Sequence, residues 1–90
     1  MLDNSPRQDV LYKAIEVITG DRNMDYDEPS RNFEVIADLW SIYLGIEIHA
    51  HDVALLNILQ KVSRMMTSPG KEDHWIDIAG YAGCGWETLS

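Results

Sequence analysis

Asp73 and Asp77 stand four residues apart, as do Glu34 and Asp38. On a helix each pair would share one face. Carboxylates presented this way suit a divalent cation such as Mg²⁺, which polarises phosphate oxygens and activates water. Lys61 and Arg64 are three apart, and Arg22 lies just beyond Gly20. Together these cations make a set fit to hold a phosphate. Each pattern also has a plainer reading. Asp73 can cap a helix start while Asp77 meets solvent or a lysine. Glu34 and Asp38 can be two solvated carboxylates, although like charges at that spacing disfavour an isolated helix by about a few tenths of a kcal/mol. Asn57, Lys61 and Arg64 fall at i, i+4, i+7 and can be the water-facing stripe of an amphipathic helix.

Other reactive residues carry weaker signals. His49 and His51 sit two apart at a loop–helix junction, a poor metal-ligand spacing. Asp21, Asp25, Asp27 and Glu28 are a dense acidic run, but the glycine and twelfth-position glutamate of a calcium loop are absent. Cys84 is the only cysteine and has no neighbouring base, so it reads as a small packed side chain.

Four helices are expected to position these groups. Ser5-Pro6-Arg7-Gln8 starts the first, with Ser5 as N-cap and Gln8 closing a capping box. Leu11, Ala14, Ile15 and Ile18 form its apolar stripe over about 6–19, and Gly20 stops it. A polar loop over 21–28 follows, anchored by Tyr26. Pro29-Ser30 opens the second helix, about 30–44, with Phe33, Ile36, Ala37, Trp40, Tyr43 and Leu44 apolar and Gly45 as the stop. Ile46-Glu47-Ile48 alternates like a strand but has no partner to pair with. The third helix starts near His49-x-x-Asp52 and ends around Met66. Its expected core side is Leu55, Ile58, Leu59, Val62, Met65 and Met66. After the turn at 67–70 the fourth helix spans about 72–84. It puts Asp73, Asp77, Gly80 and Cys84 on one face and Trp75, Ile78, Ala79 and Ala82 on the other. Gly80 would admit a close neighbour. Gly83-Cys84-Gly85 should fray the end, leaving Trp86 to fold back or reach another subunit.

The expected fold is therefore all-α, a compact four-helix domain over residues 1–90, with short connections making neighbouring helices antiparallel. Fifteen acids against seven bases give a net charge of −8. That repels phosphate backbones and argues against direct nucleic-acid binding. It leaves open a metal-dependent site, a basic protein partner or simple solubility. The chain begins without a signal-like segment and contains no run long enough to span a bilayer, so a cytoplasmic protein without membrane contact is expected. Three Trp, four Tyr and 46% hydrophobic residues are generous for ninety residues, so a homodimer or larger assembly is expected.

The succession Gly20-Asp21-Arg22, Tyr26, Asn32-Phe33, Leu39-Trp40, Asp52-Val53, Lys61, Arg64, Asp73, Asp77-Ile78-Ala79-Gly80-Tyr81 resembles a family of small, functionally uncharacterised proteins of tailed phages and prophages. Asp27 stands where members of that family usually carry glycine. The resemblance implies a site of action in the host cytoplasm. Asp73-x-x-x-Asp77-x-x-x-Tyr81 is also loosely similar to the metal-binding helix of all-α, MazG-like nucleoside triphosphate pyrophosphohydrolases. In that group, carboxylates of two helices hold Mg²⁺, and the pattern is ExxE with ExxD; here Lys61-x-x-Arg64 precedes the acidic helix.

Two functions follow as expectations. One is a nucleotide-binding or pyrophosphohydrolase-like protein, with Glu34, Asp38, Asp73 and Asp77 as metal candidates and Arg22, Lys61 and Arg64 on phosphate. The other is a small acidic phage protein that binds and inhibits a host protein without chemistry. In either case Lys61 and Arg64 are expected to neutralise Asp73 and Asp77 where the third and fourth helices meet.

Overall fold

A computed structural model describes residues 5–20 and 29–90 of the chain. They form four helices, α1 Pro6–Thr19, α2 Pro29–Leu44, α3 Ala50–Met65 and α4 Glu72–Glu87, with no strand among the described residues. None of these helices is long and apolar enough to cross a membrane. The 21–28 segment, with Arg22 and the expected anchor Tyr26, lies outside the described residues.

Local chemistry accounts for most of the helix ends. Ser5 caps α1, its hydroxyl accepting from the Gln8 N–H at 3.4 Å. The capping box is not completed: Gln8 Oε1 is buried without a hydrogen-bond partner. Gly45, directly after α2, adopts φ 71°, the left-handed conformation that glycine alone reaches at little cost. Residues 46–48 are not a strand. Ser41 Oγ accepts from the Ile48 N–H at 2.8 Å and lies 2.7 Å from the Ala37 carbonyl, tying the α2–α3 link back onto α2. At the start of α3, the His49 N–H donates to Asp52 Oδ2 at 2.9 Å, which satisfies a backbone group at the helix entry.

The end of α4 departs from expectation. Gly83-Cys84-Gly85 does not fray; the helix continues to Glu87. Close packing explains it. A Cβ on Gly85 would lie 2.7 Å from Ala54 Cβ, so α3 and α4 meet there nearly backbone to backbone, and Cys84 is buried beside the contact. Contacts of this kind offset the helix penalty of glycine, roughly 1 kcal/mol each.

Pairings along the helices set their directions. Ala54 meets Gly85 and Lys61 meets Asp77, so α3 and α4 are antiparallel. The short link at 45–49 likewise turns α3 back along α2. On the other flank, Lys13 reaches Glu72 while Ile18 approaches Gly80 and Gly83. α1 therefore runs alongside α4 in the same direction, a pairing that connection lengths did not foretell.

The core is built mainly from small residues. The buried hydrophobics among the described residues are Ala14, Phe33, Ala37, Val53, Ala54, Ile76 and Cys84. Phe33, Ala37, Val53, Ala54 and Cys84 form one cluster across α2, α3 and α4, with Ile36, Trp40, Ile48 and Tyr81 packed against it. Two expected faces are corrected here. Of the expected core side of α3, Leu55, Leu59, Val62 and the C-cap Met66 are exposed and only Ile58 and Met65 are half-buried, while Asn57 and Lys61 are half-buried on the side that also holds Val53 and Ala54. On α4, Trp75 and Ala82 are exposed, and the buried positions are His74, Ile76, Gly80, Cys84 and Gly85. The reason is shared. Tight helix contact needs small side chains, and the large apolar ones are left pointing outward.

Candidate functional site

The polar site of the described structure lies between α3 and α4. Lys61 Nζ is 2.8 Å from Asp77 Oδ2, with side chains only 23% and 29% exposed. The pair forms because α3 turns its Asn57–Lys61 side toward α4, where Asp77 follows the buried Ile76. A partly dehydrated ion pair costs desolvation and regains it through close contact, so removing one partner is worse than removing both.

The other predicted site residues do not join it. Arg64 and Asp73 are exposed, and among the described residues neither side chain enters an ion pair. Glu34 and Asp38 are exposed on α2. Arg22 falls outside the described residues. Among the described residues, no three His, Cys, Asp or Glu side chains gather as metal ligands. His49 and His51 stack at 5.6 Å with rings nearly parallel, and each lies near a carboxylate, Glu47 and Asp52 respectively.

Two further groups bear on chemistry. Lys13 bridges α1 to α4, with Nζ 2.9 Å from both Asp9 and Glu72. Those two carboxylates, Asp9 first, raise its pKa and keep it charged. It is solvent-exposed, so the bridge orients helices more than it stabilises them. Burial pushes the Cys84 thiol up, with Glu87 adding to the effect. A thiol kept protonated is a poor nucleophile, in keeping with a packing role.

Beside the ion pair, sequence reasoning missed an apolar groove. It occupies about 270 Å³ between α3 and α4, with His51, Leu55 and Ile58 on one wall and Tyr81, Trp86 and Leu89 on the other. Its floor is the Ala54–Gly85 contact. No carboxylate, lysine or arginine lines it. Trp86 is 70% exposed at the rim. Trp75, half exposed, instead donates its indole N–H to the Pro69 carbonyl at 2.8 Å and fastens the α3–α4 turn. The signal for the groove was Gly85, just after Cys84. A helix with glycine at that position lets a neighbour approach.

Residues 9–89 match the family described as Domain of unknown function (DUF6378). The chain belongs to this family. Relatives of this chain include the Gene 55 proteins of Mycobacterium phage L5 and Mycobacterium phage D29. Each is 44% identical, over 75 and 77 residues, covering 82% and 86% of this chain but 48% and 51% of the relative. The chain thus spans about half the length of these curated relatives. No solved structure matches it. The resemblance to an uncharacterised phage family is thereby established, whereas the likeness to MazG-like enzymes rests on the spacing of Asp73, Asp77 and Tyr81 alone.

Proposed function

We propose that this chain is a non-enzymatic phage protein that binds and inhibits a host protein, acting in the cytoplasm of the infected cell. The α3–α4 groove is its contact surface. The single observation that carries this reading is the groove's lining, which is predominantly apolar and rimmed by an exposed tryptophan. Tryptophan is the residue type most concentrated at binding hot spots, and helix-lined grooves commonly receive the apolar face of an amphipathic helix. A net charge of −8 favours a target segment with basic residues flanking that face. Lys61 and Asp77 satisfy each other beside the groove, which suits a binding surface better than a reactive centre.

A second reading, nucleotide binding, draws on the half-buried Lys61 ammonium, which a phosphate could take over from Asp77. One screen separates the two. Thermal shifts with nucleoside di- and triphosphates, each with and without Mg²⁺ and Mn²⁺, are expected to leave the melting temperature unchanged. In parallel, affinity capture from host cells should retain a protein with the parent chain and lose it with Trp86→Ala. Nucleotide-dependent stabilisation that Lys61→Ala abolishes would overturn the protein-binding reading.

A further inference from the structure

Two exposed stripes of this molecule share one spacing. On α2, Val35, Leu39 and Ile42 recur at intervals of four and three, with Ile46 beyond the left-handed turn at Gly45; on α3 and its C-cap, Leu55, Leu59, Val62 and Met66 recur at four, three and four. All eight side chains are between 43% and 83% exposed. A 4-3-4 apolar repeat is the seam along which two helices interlock side chains. Each stripe lies on the side of its helix away from the buried residues, Phe33 and Ala37 on α2, Val53 and Ala54 on α3. The fold therefore spends its small residues on internal contacts and leaves these two apolar stripes exposed.

We propose that a second copy of this chain covers these stripes, so that the α2–α3 units of two copies pack against one another in a symmetric homodimer. Three observations favour that occupant. First, none of the eight positions is charged or polar, so two chains of charge −8 can meet there without opposing charges within the seam. Second, both stripes carry the four-then-three spacing, so the α2 stripe of one copy can seat against the α3 stripe of the other, and the reverse, in a self-complementary two-fold interface. Third, the area is right. Eight large side chains exposed to this degree present on the order of 800 Å² of apolar surface, close to what each partner buries in a standard stable interface and above the few hundred Å² typical of a monomer's largest patch. This interface is independent of the groove proposed above, meeting it only at Leu55.

Light scattering of the purified chain at micromolar concentration tests it. The expected mass is twice 10.3 kDa, and added salt should hold the dimer or tighten it as repulsion between the chains is screened. Leu39→Glu combined with Leu59→Glu should halve the mass while circular dichroism stays helical, because both side chains are already exposed in the single chain. Tyr12→Glu on α1 should leave the dimer intact. If the double variant unfolds, cross-linking replaces it: Leu59→Cys chains should join through a short bis-maleimide and Glu16→Cys chains should not. A parent mass near 10 kDa at every concentration and salt level would overturn the proposal. So would a dimer that survives the double substitution, or equal cross-linking at both positions.

Discussion

The two sides of α3 invert the usual arrangement. Its inner side holds the buried Val53 and Ala54 and the half-buried Asn57 and Lys61; its outer side carries the exposed Leu59, Val62 and Met66, with Leu55 at the edge of the α3–α4 groove. The inner side is small and partly polar because α4 comes close, with Gly85 against Ala54 and Asp77 against Lys61. The outer side is large and apolar because nothing within the described residues covers it. Apolar content alone does not mark the inside of a small domain. What marks it is the size match between facing positions, and the apolar surplus is then available for association.

Substitutions on the two sides should separate these roles. The largest effect is expected at the tightest contact. Gly85→Ala places a methyl 2.7 Å from Ala54 Cβ and should destabilise the fold by about 1–3 kcal/mol through overpacking, despite alanine's better helix propensity. Gly83 is the control. A Cβ there meets only Ile18 Cδ1 at an ordinary 3.7 Å, so Gly83→Ala should be neutral or stabilising by up to about 1 kcal/mol. Urea midpoints of the two variants moving in opposite directions would sharpen the contrast, and equal midpoints would break it. A smaller difference is expected between carboxylates. Asp77→Ala strands the half-buried Lys61 and should cost about 1–2 kcal/mol. Glu34→Ala, on the exposed side of α2, should stay within about 0.5 kcal/mol of the parent. Matching urea melts would place Asp77 at the surface.

The four helices were legible because a cap, a proline, a stop glycine or the 3.6-residue period marks each of them. Ser5, Pro6 and Gly45 do locally what their chemistry dictates. The pairing of Lys61 with Asp77 was legible too, since a cation and a carboxylate on consecutive helices invite each other. The inner face of α3 was not. Leu55, Leu59, Val62 and Met66 outweigh Val53 and Ala54 on any hydrophobicity scale, and only the identity of the opposing residue, Gly85, shows which side packs. For the same reason the end of α4 was misplaced. Glycine's helix penalty is visible in a sequence, whereas the contact that compensates it lies on another helix. The groove is a product of that juxtaposition, since Ile58 and Trp86 are brought together only by the antiparallel register of α3 and α4.

A double-mutant cycle on Lys61 and Asp77 tests the inverted face of α3 most directly. Unfolding free energies are needed for the parent, Lys61→Ala, Asp77→Ala and the double variant, at one salt concentration and one protein concentration. Contact at 2.8 Å between partly buried side chains should give a coupling of about 0.5–3 kcal/mol, with the double variant less damaged than the sum of the singles. Additivity to within about 0.3 kcal/mol would mean that Lys61 faces water and that α3 turns its leucines inward after all.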